Sequence, residues 1–241
     1  MKTFFGLRLA IVVGVSLWAI GCTDSTSTTD STQVQIYTQL EGRSVTPSSI
    51  KNDYSGIAAK GVVADSLHIS RVRILVSDIK MHRSNEDSNH SGHSVKVGPF
   101  LVTIDSAGLS LNASSPIPAG IYNHIKFEIH RFSSSEVANY LNDAVYSDFV
   151  TGDRYTIIID GTVYDEGVAY PFEYKSKATI NFWLRFANDI EISQNVTSGI
   201  ILFMNPSLVF RTGISVLDPR DPNNSNDIDQ GIKWAFRALK R

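Results

Sequence analysis

Three histidines that lie close together in the sequence are the first candidates for chemistry. His82, His90 and His93 belong to one polar stretch that also holds Glu86 and Asp87. Imidazole nitrogen is a good ligand for Zn²⁺ and Cu²⁺, so a folded loop could present a transition-metal site. The Ser, Asn, Asp and Gly residues around them are equally typical of a solvated hairpin loop. The sequence favours the loop interpretation, in which His82 ends a strand as a half-buried side chain.

A second candidate site is an acidic run near the C-terminus. Asp218, Asp221, Asp227 and Asp229 are interspersed with asparagines and prolines. Ca²⁺ takes about six to eight oxygen ligands, so this run could supply a calcium site. The EF-hand order is missing, and a proline-containing turn that leads into Asp227 as a helix cap is the simpler interpretation. We therefore expect no cofactor, with Ca²⁺ or Zn²⁺ as the alternatives.

Motifs of known catalytic machinery are missing from the sequence. There is no Gly-x-Ser-x-Gly nucleophile motif, no glycine-rich phosphate loop and no dinucleotide-binding fingerprint. Cys22 is the only cysteine, and the adjacent carboxylates Asp165 and Glu166 have the setting of a solvated turn. By these criteria the sequence predicts a protein that is not an enzyme.

The N-terminus has the pattern of an export signal. Lys2 and Arg8 precede an apolar run over residues 9–20, and Gly21-Cys22 follows it. A membrane-spanning helix needs about 20 apolar residues, so this run is too short to be one. The end of the run resembles the bacterial lipobox, which implies cleavage before Cys22 and lipid attachment to its thiol. We expect residues 1–21 to be a signal peptide and Cys22 to anchor the protein to a membrane.

The segment after the anchor is suited to a tether. Residues 22–33 are small and polar, with many Ser and Thr, and cannot bury enough surface to order themselves. Thr23, rather than Asp, follows Cys22. By resemblance to the sorting rule of enteric bacteria, this favours the outer membrane in a Gram-negative organism. The formal net charge of −2 gives no basic field that would indicate a nucleic-acid partner.

Alternating apolar and polar residues dominate the chain from 34 to 212, and each such run predicts a strand with one buried face. The clearest runs begin at Val34, Val72, Ile125, Tyr155, Tyr170 and Ile180. Asp165-Glu166-Gly167 lies between two of these runs and predicts a hairpin turn. Many strands with few helical patterns between them predict an all-β fold, an antiparallel β-sandwich.

Two helices are also predicted. Ser133 and Glu136 have the spacing of a capping box, which would open a short helix. Residues 213–241 form an Asp/Asn/Pro-rich loop followed by a C-terminal helix from Ile228 to Leu239. Apolar residues at helical spacing predict that this helix docks through Ile232 and Phe236.

Two segments carry a resemblance to a known family. They are Ser77-Asp-Ile-Lys-Met-His82 and Pro118-Ala-Gly-Ile-Tyr-Asn-His-Ile125. Together they resemble a bacterial lipoprotein-associated domain family of unknown function, over about residues 65–131. The resemblance implies an immunoglobulin-like or transthyretin-like sandwich and implies no activity.

Aromatic side chains are concentrated between residues 164 and 186. They are Tyr164, Tyr170, Phe172, Tyr174, Phe182, Trp183 and Phe186. Exposed Tyr and Trp could stack on sugar rings, although most of this set is more simply core. Alternation puts Trp183 on the face opposite Phe182 and Leu184. The sequence thus favours a non-enzymatic binding module of the cell envelope with a glycan or protein partner, over an envelope protein that binds calcium or a transition metal.

Overall fold

A computed structural model describes residues 33–47, 61–84, 99–105, 108–117, 119–193 and 196–241. Cys22, His90 and His93 lie outside these ranges, as does almost all of the proposed signal peptide and tether. The described residues are mostly β-strand, arranged in several sheets with a few short helices. The all-β prediction is confirmed. None of the described helices is both long enough and apolar enough to cross a membrane.

The strands are numbered in chain order, and their bounds follow. They are β1 Gln33–Leu40, β2 Ser44–Val45, β3 Val63–Ala64, β4 Ser66–Val76, β5 Asp78–Arg83, β6 Phe100–Asp105, β7 Ser110–Pro116, β8 Gly120–Ile129, β9 Ile157–Asp165, β10 Val168–Ser176, β11 Ile180–Ile192, β12 Ser198–Met204, β13 Arg211–Thr212, β14 Ser215–Leu217 and β15 Phe236–Lys240. The helices are α1 Ser134–Tyr140, α2 Ser147–Val150, α3 Pro206–Phe210 and α4 Ser225–Trp234. Short 3₁₀ turns cover Ala144–Tyr146 and Pro222–Asn224.

Four sheets are present among the described residues. Their strand orders are β15-β12-β1-β7, β10-β9-β4-β2 with β6 also paired to β4, β11-β8-β5, and β13-β14-β3. One pairing departs from the antiparallel prediction, because β1 and β12 run parallel from Val34 opposite Ser198 to Leu40 opposite Met204. Parallel neighbours need a long crossover, and the chain between these two strands supplies it.

The core lies where the apolar faces of these sheets meet. One cluster of buried residues takes Ile36 from β1, Ile74 from β4, Phe127 from β8 and Leu202 from β12. A smaller cluster forms beneath α1 and α2, around Phe149 and its neighbours. The alternating pattern therefore predicted correctly which strand faces are buried, because every second side chain of a strand points to the same face.

Two local predictions are confirmed. Ser133 caps α1: its hydroxyl accepts a hydrogen bond from the Glu136 amide, and the Glu136 carboxylate accepts one from the Ser133 amide at 2.8 Å. β9 and β10 form a hairpin in which Glu166 and Gly167 have φ of 51° and 78°. Positive φ at both central residues is the geometry that matches the twist of two-residue hairpins.

The C-terminal helix prediction is wrong in its extent. Helix α4 ends at Trp234, and the residues from Phe236 onward form β15, which pairs antiparallel with β12. Ile228 and Ile232 are buried as expected, and Phe236 is buried from a strand rather than from a helix. The edge of β12 provides backbone partners at this point, and that tertiary contact overrides the helical spacing.

Candidate functional site

The sheet of β5, β8 and β11 carries apolar residues on one face and polar residues on the other. On β8, Ile125 and Phe127 are buried, whereas Lys126 between them and Glu128 after them are only partly so. The same sheet therefore closes the core on one side and presents a polar surface on the other. This is what strict alternation in a half-buried strand produces.

Strand register arranges this surface as three rows of three residues, which we call the polar face. The rows are Asp78, Glu128 and Asn181; Lys80, Lys126 and Trp183; and His82, His124 and Arg185. Adjacent strands are about 4.8 Å apart and alternate residues along a strand about 7 Å apart, so the patch measures roughly 10 by 14 Å. This area is small beside a standard protein–protein interface, which buries roughly 800 Å² on each partner.

Three aromatic rings contact one another on the polar face. The His82 and His124 rings are stacked, with centroids 4.7 Å apart and an interplanar angle of 4°. The Trp183 indole lies 4.7 Å from His82 and 5.1 Å from His124, tilted by 53° and 54°. Because His82 belongs to β5 and Trp183 to β11, the indole reaches across β8. Even with both imidazoles against it, Trp183 remains 51% exposed.

One end of the polar face is neutralised by its own ion pairs. The Glu128 carboxylate accepts hydrogen bonds from Lys80 at 2.9 Å and from Lys126 at 2.6 Å, and Asp78 lies 3.4 Å from the Lys80 ammonium. The hydrogen bonds from Lys126 and Lys80 lower the pKa of Glu128, and the one to Glu128 raises the pKa of Lys80. At this end two carboxylates balance two ammonium groups.

The other end of the polar face has positive character. Arg185 is exposed, and no acidic side chain in the described ranges forms an ion pair with it. Burial lowers the pKa of the neighbouring His124, and the charges of His82 and Arg185 lower it further. Lys126 links the two ends, with its ammonium 5.3 Å from the centre of the Trp183 ring. The Arg185 guanidinium thus lies in one row of the polar face with the imidazoles of His124 and His82.

The geometry of the two described histidines does not favour one shared metal ion. Ring nitrogen lone pairs lie in the ring plane, and the planes of His82 and His124 are nearly parallel. No group of three or more His, Cys, Asp or Glu side chains in the described ranges could hold a metal. Since His90 and His93 lie outside those ranges, the histidine-loop metal site stays a prediction.

Three of the four aspartates of the predicted calcium site, Asp218, Asp221 and Asp229, have separate partners. Buried Asp218 pairs with Arg220 at 2.6 Å, and Asp221 accepts from the backbone amide of Val62 at 2.7 Å. Asp229 accepts from the Tyr174 hydroxyl at 2.8 Å, and burial, together with that carboxylate, raises the pKa of Tyr174.

The expected role of Asp227 as the cap of the C-terminal helix is wrong. The N-cap residue of α4 is Asn224, and Asp227 lies within the first turn of the helix. The 3₁₀ turn Pro222–Asn224 runs directly into α4, so the helix starts before the position that the sequence pattern indicated. An acidic side chain in a first helical turn is still favourable, because it faces the positive end of the helix dipole.

Sequence reasoning identified Trp183 and His82 but missed the residues around them. His124, Lys126 and Arg185 each sit at a polar position of an alternating run, which is a visible signal. What the sequence did not reveal is the register that puts them beside His82 and Trp183. The two segments with a family resemblance do lie on neighbouring strands, since Met81 is opposite Ile125.

Comparison with known proteins gives no relative: no family model, no curated protein and no solved structure matches this chain. The family resemblance over residues 65–131 therefore stays a prediction. The side chains of the polar face are the remaining basis for inferring a function.

Proposed function

We propose that this chain is a non-enzymatic, lipid-anchored protein of the bacterial cell envelope that binds a glycan on its polar face. The observation that carries the proposal is the half-exposed indole of Trp183, which lies in the middle row of a small sheet face among charged and hydrogen-bonding side chains. Such a ring can stack on the C–H face of a sugar, while its neighbours hydrogen-bond to the hydroxyl groups.

A glycan fits this surface better than a protein partner does. The centre of a protein–protein interface is depleted of charged residues. The polar face instead places Lys126, His124 and Arg185 directly around its aromatic ring. This mixture of one ring and several donors suits a hydroxyl-rich ligand, because each sugar hydroxyl can both donate and accept.

The anchor and the arrangement of the sheets complete the proposal. Lipid on Cys22 and a tether over residues 22–33 would hold the folded domain near the bilayer, on the outer membrane if the organism is Gram-negative. We further propose that the sheets stack as a sandwich of the immunoglobulin-like or transthyretin-like type. The shared core of β1, β4, β8 and β12 supports this arrangement, since these strands belong to three different sheets.

The test is a binding assay with a matched pair of tryptophan variants. The full chain, purified in detergent, would be applied to immobilised bacterial polysaccharides, both neutral and acidic. We expect Trp183→Ala to weaken binding at least about tenfold, as is usual when a central aromatic contact is removed. Trp234→Ala is the control, because Trp234 is 76% exposed on a different element, at the end of α4.

Two results would contradict the proposal. One is a wild-type chain that binds none of the polysaccharides. The other is equal binding by the wild type and Trp183→Ala, with circular dichroism showing that the variant is folded.

A further inference from the structure

The charge on the polar face is distributed unevenly, and this narrows the class of ligand. Lys80 and Lys126 are engaged by Glu128 and Asp78 at one end of the patch. Arg185 at the other end lacks an acidic partner among the described residues, and the imidazole of His124 lies opposite it on β8. An anionic group on a bound ligand would therefore be attracted to the Arg185 end alone.

The spacing of Trp183 and Arg185 suits a sugar that carries its own acid group. The two residues are alternate residues of β11 on the same face, so their Cβ atoms are about 7 Å apart. A carboxylate oxygen of a uronic acid lies roughly 4 Å from the ring centre, and a hydrogen bond adds about 2.9 Å. A sugar stacked on Trp183 can thus place its carboxylate within reach of the Arg185 guanidinium.

We infer that the ligand is a carboxylated saccharide of the uronic-acid type, with its ring on Trp183 and its carboxylate at Arg185 and His124. This inference rests on the proposed glycan-binding function and specifies its substrate class. The planar guanidinium matches a carboxylate through two parallel hydrogen bonds. A glycerol, serine or ethanolamine phospholipid headgroup is disfavoured, because it offers a phosphate but no ring to cover the indole.

The experiment compares acidic sugars with uncharged copies of themselves. Oligomers of galacturonate, glucuronate and mannuronate would each be titrated into the full chain by calorimetry, beside their methyl esters. Esterification removes the charge and keeps the ring. We expect the best acidic oligomer to bind about tenfold more tightly than its ester, as one charge-assisted contact allows.

Variants separate the two halves of the contact. Arg185→Gln should abolish the preference for acid over ester, and Trp183→Ala should weaken the binding of both. Lys233→Gln is the charge-matched control, since Lys233 is an exposed residue of α4, outside the polar face. It should leave both affinities unchanged.

The possible outcomes distinguish the inference from the function on which it rests. Equal affinity for acid and ester, or an equal effect of Arg185→Gln on both, overturns the acidic-ligand inference and leaves glycan binding in place. Binding to vesicles of anionic phospholipid that depends on Arg185 but not on Trp183 also overturns it. No binding to any saccharide overturns both the inference and the proposed function.

Discussion

The imidazole rings of His82 and His124 lie face to face across β5 and β8, with centroids 4.7 Å apart. This contact brings two imidazole groups together, and the Arg185 guanidinium lies in the same row of the polar face. A proton on either ring would place a positive charge against the other ring. The stacked arrangement is therefore more stable when His124 is neutral, which agrees with the lowered pKa of His124.

Acid should destabilise the fold through His124. Its pKa in the folded protein lies below the ordinary value of 6.5, so the unfolded chain binds the proton more readily. Stability should thus be constant above about pH 6.5 and fall as the pH drops from there through the folded pKa. Thermal melts of the wild type and of His124→Gln between neutral pH and about pH 5.5 measure this contribution. The variant should lose less stability over that interval.

Neighbouring charged and titratable groups also influence how the free energy of unfolding changes with pH near His124. His82 on β5 and Arg185 on β11 lie directly opposite His124, and Lys80, Lys126, Asp78 and Glu128 lie further along the same face. His130→Gln is the control, because His130 lies just beyond the end of β8. If His124→Gln and the wild type lose stability in parallel, His124 is not the group responsible.

Lipid attachment at Cys22 is the second prediction. The wild-type protein should incorporate labelled palmitate in cells and lack residues 1–21 when mature. Cys22→Ser should incorporate none, because the chain has no other cysteine to accept the diacylglyceryl group. Equal labelling of the wild type and the variant would refute the anchor.

The third prediction concerns the last strand. Phe236 is 8% exposed and belongs to the main core, so Phe236→Ala should lower the free energy of unfolding by about 3–5 kcal/mol. Leu239 lies on the same strand but is 38% exposed, and Leu239→Ala should cost much less. Urea denaturation of both variants tests this difference. Similar small losses for the two would mean that β15 does not dock as described.

Calcium and zinc form the fourth prediction. We expect the melting temperature to be the same in EDTA and in excess Ca²⁺, because Asp218 is already paired with Arg220 and Asp221 with backbone amides. We expect no rise with Zn²⁺ either, because the Ser, Asn, Asp and Gly residues around His90 and His93 are typical of a solvated loop. An ion that binds the native state would stabilise it by about 2.7 kcal/mol at a hundredfold excess over its Kd. A stabilisation of that size that is lost on Asp221→Ala would show that the calcium site exists, and one that is lost on His90→Ala would show the same for the zinc site.

Features that depend on residues close together in the sequence could be predicted, and features that depend on distant residues could not. The alternation around Ile125 and Phe127 and the capping box at Ser133 act within a few residues, and both were predicted correctly. The strand at Phe236 was not, because its hydrogen-bond partners lie on β12, distant in the sequence. The polar face was found only in part for the same reason. Trp183 was visible as an exposed candidate, but its contact with His82 depends on the register of three strands.

The parallel pairing of β1 with β12 has a consequence for how the protein is made. Val34 is opposite Ser198, so the first described strand finds this neighbour only when nearly the whole polypeptide exists. Synthesis starts at the N-terminus, and the sheet that contains β1 cannot close during most of it. Folding dominated by such distant contacts is slow, on the order of milliseconds to seconds. On the side that faces β12, strand β1 therefore stays without its partner until the last part of the chain has been made.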